Sequence, residues 1–169
     1  MRACAHARMA VDTWFTPMND PEKHRYWIVS PGLLIAMMRA LAGSAHISFE
    51  GDLSRCVFPS ELAPRANETP TLKRQTLVPQ LGFVVLPLES HTVRPILDVV
   101  LPNRRFMDDI VHIQIEKNGR LEFGSYDNFH PECIVCHSGV RTELLNALRD
   151  KGVIRSWTIP HEGAWRWHG

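Results

Sequence analysis

No apolar run among the 169 residues approaches the ~20 needed to span a bilayer, and the longest candidate, Leu33 to Met38, is interrupted by Arg39. The start Met1-Arg2-Ala3-Cys4-Ala5-His6-Ala7-Arg8-Met9 is basic but lacks the apolar stretch of a secretory signal, so neither export nor a membrane partner is expected. Cysteine is scarce: Cys4, Cys56, Cys133 and Cys136 are too few and too scattered to staple a secreted scaffold, and reduced thiols in a cytoplasmic protein are the expectation. Net charge is nearly absent as well. Nineteen basic residues against 18 acidic ones leave +1, so no global field draws the chain to nucleic acid or acidic lipid. The local exceptions, Lys73-Arg74 and Arg104-Arg105, are dipeptides that read as solvated surface. Lysine is rare, at Lys23, Lys73, Lys117 and Lys151, a bias toward arginine that fits GC-rich bacterial coding rather than arginine chemistry.

What is present is ordinary globular material, 44% hydrophobic and 22% charged, enough for one buried core. A single domain over residues 1–169 is expected, with 1–10 a loosely attached leader and Met9 an alternative start. No repeat or low-complexity tract occurs. Tyr26 to Val29 reads as a strand. Ser30 offers an N-cap, Pro31 suits the first helical position, and Leu33 to Ala42 is apolar on all faces until Gly43 stops it, the pattern of a buried helix. Ala45 to Glu50 alternates, with His46, Ser48 and Glu50 on a wet face and Ile47 and Phe49 on a packed one.

Residues 59–80 carry Pro59, Pro64, Pro70 and Pro79 and read as the main loop, a place for disorder or a lid. Leu81 to Leu88 is a strand. Val93, Ile96, Leu97, Val100 and Leu101 make the stripe of an amphipathic helix, capped by Thr92 and ended by Pro102. Ile110 to Glu116 and Arg120 to Tyr126 form a hairpin. Keeping one face apolar favours a three-residue loop with Gly119 in a bulge, pairing Ile115 with Leu121, Ile113 with Phe123 and Glu116 with Arg120. Cys133 to His137 reads as a short strand, Ser138 as the cap of a helix over Val140, Leu144, Leu145 and Leu148 that Gly152 stops, and Val153 to Thr158 as a last strand. The order predicts an α+β fold, a mostly antiparallel sheet with about three helices on one face.

The densest chemistry is His130-Pro131-Glu132-Cys133-Ile134-Val135-Cys136-His137. Cys133, Cys136 and His137 spell haem attachment, but such proteins mature outside the cytoplasm. A thioredoxin-like pair needs a helix beginning at its first Cys, whereas Ser138-Gly139 sets the helix after both thiols. A deaminase needs its His-x-Glu and Cys-x-x-Cys on separate helices, and here they collide. Zinc is the surviving alternative, with His130, Cys133, Cys136 and His137 as ligands. It requires a turn, since strand cysteines an odd number apart face opposite ways. Buried strand cysteines acting as small hydrophobes are the preferred reading, and no cofactor is expected.

Ala45-His46-Ile47-Ser48-Phe49 and Val111-His112-Ile113-Gln114-Ile115 resemble the paired His-x-Ser/Thr motifs of two-histidine phosphoesterases, which resemble RNA ligase-like 2',5' phosphodiesterases. The resemblance implies an α+β hydrolase of cyclic or 2',5'-linked phosphates, with His46 and His112 as base and acid and Ser48 and Gln114 on the phosphoryl oxygens. Gln114 departs from the motif. The condition is that His46 and His112 face one cleft within ~6 to 8 Å.

The run Phe123-Gly124-Ser125-Tyr126-Asp127-Asn128-Phe129-His130-Pro131-Glu132-Cys133 resembles a stretch of uncharacterised small bacterial proteins of the mobile gene-cassette kind, which implies no activity. Within it Tyr126, Asp127, Asn128, His130 and Glu132 form a polar turn with exposed aromatics, a usable recognition surface. Trp165 and Trp167 share one face of an extended tail that seals the core edge or meets a partner. The preferred function is therefore a non-catalytic module that binds a protein partner or itself as a homodimer, with the phosphoesterase and a structural zinc protein as alternatives.

Overall fold

The computed structural model describes residues 7–10, 31–102, 109–129, 133–154 and 156–158. The elements run β1 (Ala7–Ala10), α1 (Pro31–Leu41), β2 (Ala45–Gly51), β3 (Gly82–Leu88), α2 (Val93–Val100), β4 (Ile110–Lys117), β5 (Arg120–Ser125), β6 (Ile134–Cys136), α3 (Thr142–Asp150) and β7 (Ser156–Thr158), with a 3-10 turn at Ser60–Leu62. The strands form one sheet, β3-β2-β4-β5-β6-β1-β7, antiparallel at every pairing. The strand proposed at Tyr26 to Val29 lies outside the described residues. No described helix is long and apolar enough to cross a membrane.

The three helices among the described residues all lie on one face. Leu33, Leu34, Met37, Met38 and Leu41 of α1, Val93, Ile96 and Val100 of α2, and Leu145 and Leu148 of α3 share a core with Ile47, Phe49, Leu86, Ile113, Ile115, Phe123, Ile134 and Cys136 of the sheet. The fold is the expected α+β layer. Gly43, at φ +99°, ends α1 as the sequence predicts. Lys117 of β4 then donates to the carbonyls of Leu41 (3.0 Å) and Ala42 (3.2 Å), placing a cation at the negative end of the helix. α1 is not buried all round, since Arg39 and Ala40 are exposed.

Strand β1 pairs with β6 on one side and β7 on the other, and so links β7 to the rest of the sheet. Several local expectations are corrected. The hairpin uses a two-residue Asn118-Gly119 turn with both residues left-handed, φ +53° and +71°, pairing Lys117 with Arg120 and Glu116 with Leu121. The apolar face is then recovered by a bulge farther on, where Glu122 is the extra residue and Ile115 meets Phe123. Ser138 does not cap α3, which starts at Thr142 after a turn whose Gly139 amide donates to Glu122 (2.7 Å). The last described strand begins at Ser156 rather than Val153.

A further correction concerns the face without helices, which is not wet. Residues 63–81 cross it as an ordered strap rather than a disordered loop, tied to the outer edge of β3 by the Arg65–Val85 bridge. Leu72 of the strap is fully buried on Phe83 and Val85, with Leu121 beside it, a small second core. The Arg74 guanidinium lies 4.9 Å from the Phe83 ring centre.

Candidate functional site

Beyond the Arg65–Val85 bridge the strap has no ladder partners among the described residues, so its backbone polar groups need other acceptors and donors. The polar side chains of β2 and β4 supply them. Gln114 accepts from the Lys73 amide (3.2 Å) and donates to the Lys73 carbonyl (2.8 Å), making the two bonds a neighbouring strand residue would make. Glu50, 1% exposed, accepts from the amides of Gln75 (2.7 Å) and Thr76 (2.8 Å), one on each oxygen. Glu116, also buried, accepts from the Thr69 hydroxyl (3.0 Å), which in turn accepts from the Leu72 amide (2.8 Å).

The two histidines of the phosphoesterase reading sit on this face at opposite ends of the polar rows. Cross-strand register pairs His46 with Glu116, Ser48 with Gln114 and Glu50 with His112. Four residues of strand separate the histidines, about 13 Å at ~3.3 Å per residue, beyond the span of one phosphate. Ser48 and Gln114 between them are each 2% exposed, covered rather than lining a cleft. The geometry does not bring these four residues together as a phosphate site.

Each imidazole is held in a definite tautomer by a partner that can only donate. At His46, half-buried, the Arg65 guanidinium lies 3.2 Å from Nε2, so Nε2 accepts and Nδ1–H points at Glu116 Oε1 (3.3 Å). At His112 the Asp127 amide donates to Nδ1 (3.1 Å), so Nε2–H faces the Thr76 hydroxyl (3.1 Å). Burial holds the His112 pKa below its usual 6.5, while the charges of Glu50 and Asp127 pull it back up. The tilted Tyr126 ring lies 5.8 Å from His112, and burial pushes its phenol up to about 12.

The turn after β5 is the strained part of the molecule. Asp127, Asn128 and Phe129 are all left-handed, with φ of +52°, +53° and +61°, a conformation costing about 1–2 kcal/mol per residue outside glycine. Asp and Asn tolerate it by short polar side chains, whereas Phe129 does not. Its ring is 4% exposed and joins the helix-side core, which contributes about 1.5–3 kcal/mol and offsets its share. The Asn128 amide donates to the Val111 carbonyl (2.9 Å) and the Tyr126 amide to that of Cys133 (3.0 Å). Ser125 Oγ, just before this run, and Asn128 Oδ1, within it, are buried without a hydrogen-bond partner among the described residues.

Of the proposed recognition set, Asp127 is exposed and Asn128 half-buried, but Tyr126 is buried over Gly124 rather than presented to solvent. His130, Glu132, Trp165 and Trp167 lie outside the described residues. In the cysteine cluster, Cys136 faces the helix-side core opposite Phe123, while Val135 takes the strap side. Burial, and the negative charge of Glu122, push the Cys136 thiol up, away from the thiolate a metal would need. Cys133 is half-buried just before β6, and His137 follows it, its amide donating to the Glu122 carbonyl (2.9 Å). Among the described residues no three His, Cys, Asp or Glu side chains converge to hold a metal.

Sequence reading passed over the residues that order this region, Glu50, Thr76, Glu116 and Arg65. The available signal was that polar residues alternate on both β2 and β4, adjacent in the sheet, which marks a covered polar face. It also passed over the large exposed apolar side chains, Val57 (81% exposed), Leu77 (73%) and Val78 (91%). All three belong to loops leaving the same end of the sheet, where β2 finishes and β3 and β4 begin. The strained turn is at that end too, since β5 finishes beside the start of β4. Comparison with known protein families, curated proteins and solved structures finds no match.

Proposed function

We propose that this chain is a non-catalytic binding module that associates with a second copy of itself through the loop end of the sheet. The observation that carries this reading is the placement of Val57, Leu77 and Val78. They leave three large apolar side chains exposed at one end of the molecule, while the polar groups of the sheet are spent on the chain's own strap. Large apolar side chains exposed on loops at one end of a sheet offer a contact surface. Charges of both signs flank them, with Arg55 paired to Asp109 and Asp52 held as a carboxylate by Ser54, so two copies meet without a single-sign barrier. A net charge of +1 leaves negligible repulsion between copies.

Sedimentation equilibrium over a range of concentrations tests the reading. The mass should rise from the monomer's 19.3 kDa toward twice that value, and the double substitution Leu77→Asp, Val78→Asp should return it to the monomer. A mass independent of concentration in the unmodified protein overturns self-association.

A further inference from the structure

Thr76 immediately precedes the exposed Leu77-Val78 tip, and its hydroxyl and amide are both held from the sheet, by His112 and Glu50. We propose that His112 is a proton-operated latch: its neutral ring holds the strap tip and the 127–129 turn together, and protonation releases the turn directly and the strap tip through Glu50. This names the regulation of the surface proposed above and rests on that reading of the loop end.

The argument starts from what each ring nitrogen can do. Nδ1 accepts from the Asp127 amide at 3.1 Å, which is possible only while Nδ1 carries no hydrogen. Nε2 carries the proton and meets the Thr76 hydroxyl at 3.1 Å. One neutral ring thus joins two segments that are distant in sequence. Protonation places a hydrogen on Nδ1 aimed at the Asp127 N–H. A donor then faces a donor, and backbone amides have no alternative role.

The groups around the ring decide where it goes next. Among the described residues, β2 presents the Glu50 carboxylate and the turn presents Asp127. Tyr126 from the end of β5 and Gln75 and Thr76 from the strap are uncharged. Both carboxylates attract an imidazolium. Glu50, however, already holds the amides of Gln75 and Thr76, so an imidazolium drawn toward it competes with the strap for the same oxygens. The released Asp127 amide also frees a left-handed turn whose backbone relaxes by leaving that conformation. Protonation therefore breaks the contact with Asp127 directly and, with Nε2–H still donating to Thr76, loosens the strap through competition for Glu50, changing how Leu77 and Val78 are presented.

Residue-resolved amide hydrogen exchange on dilute monomer, at about pH 7.5 and about pH 5 and corrected for intrinsic rates, tests this without any partner. Protection at Gln75, Thr76 and Asp127 should fall together with acid, by up to about tenfold per pH unit, the limit for one linked proton. His112→Gln, whose side-chain carbonyl accepts from Asp127 without titrating, should abolish the response. Ring nitrogen shifts of the unmodified protein provide a reading that needs no variant, with Nδ1 unprotonated at neutral pH. Protection insensitive to pH, or an Nδ1-protonated ring at neutral pH, overturns the latch. Because the exchange readout uses monomer, a failure of self-association in the sedimentation experiment stays separate from a failure here.

Discussion

On the helix side of the sheet, Ile47, Phe49, Ile113, Ile115 and Phe123 meet side chains of α1, α2 and α3; on the other side Ser48, Glu50, Gln114 and Glu116, one residue away on the same strands, lie under the backbone of a strap. Both faces are buried, and to similar depth. Apolar packing asks only for volume and shape, so its stability is indifferent to pH and degrades in proportion to what is removed. The strap side depends on matched donors and acceptors, where a single unmet group costs its full desolvation. The first face stabilises the fold, and the second is where a proton can change it.

The largest effect should come from the helix side. Phe123→Ala removes a fully buried ring opposite Cys136 and should cost about 3–5 kcal/mol, read as a lower urea midpoint with the slope unchanged. Glu50→Ala should cost less, about 1–3 kcal/mol, from stranding the Gln75 and Thr76 amides. The contrast lies in how the loss is distributed. Limited proteolysis of the Glu50 variant should cut within residues 63–81 under conditions where Phe123→Ala is cut generally. Equal resistance of the strap in both variants would erase the distinction between the faces.

The two faces also differed in how far they could be read from sequence. Helix α1 and the Val93 stripe were legible because a periodicity of 3.6 is a local property, and Gly43 and Pro102 mark their ends. The Asn118-Gly119 turn was legible as a turn, but its register was not. The bulge that restores the apolar face lies at Glu122, beyond the turn itself, and nothing local to the turn specifies it. The alternation His46, Ser48, Glu50 was read correctly as polar and wrongly as solvated, because its cover comes from residues 63–81, a segment with no periodicity of its own. Strand parity places Cys136 in the core, whereas Cys133, read from sequence as a buried strand residue, is half-buried and lies just before β6. The left-handed run 127–129 was visible only as an Asp-Asn turn signal, since no propensity makes Phe129 left-handed. Its buried ring does, through tertiary contact.

The smallest expected effect is the most discriminating. Asp127→Gly keeps the backbone amide that His112 accepts from, and replaces a residue at φ +52° by one without the left-handed penalty. Relief of about 1 kcal/mol, less what glycine adds to unfolded-state freedom, leaves a gain of about 0.5 kcal/mol at neutral pH. The substitution also removes a carboxylate that raises the His112 pKa, so the folded value moves further below 6.5. The sign is then fixed. An imidazole whose pKa is lowered on folding binds its proton more readily in the unfolded chain, so stability is full above pH 6.5 and falls as pH drops through the window down to the folded value. Asp127→Gly widens that window. Chemical denaturation across pH should show the variant more stable than the parent at neutral pH and losing more stability with acid, the two curves converging. Parallel curves would mean that Asp127 acts on the backbone alone and that its charge does not reach His112.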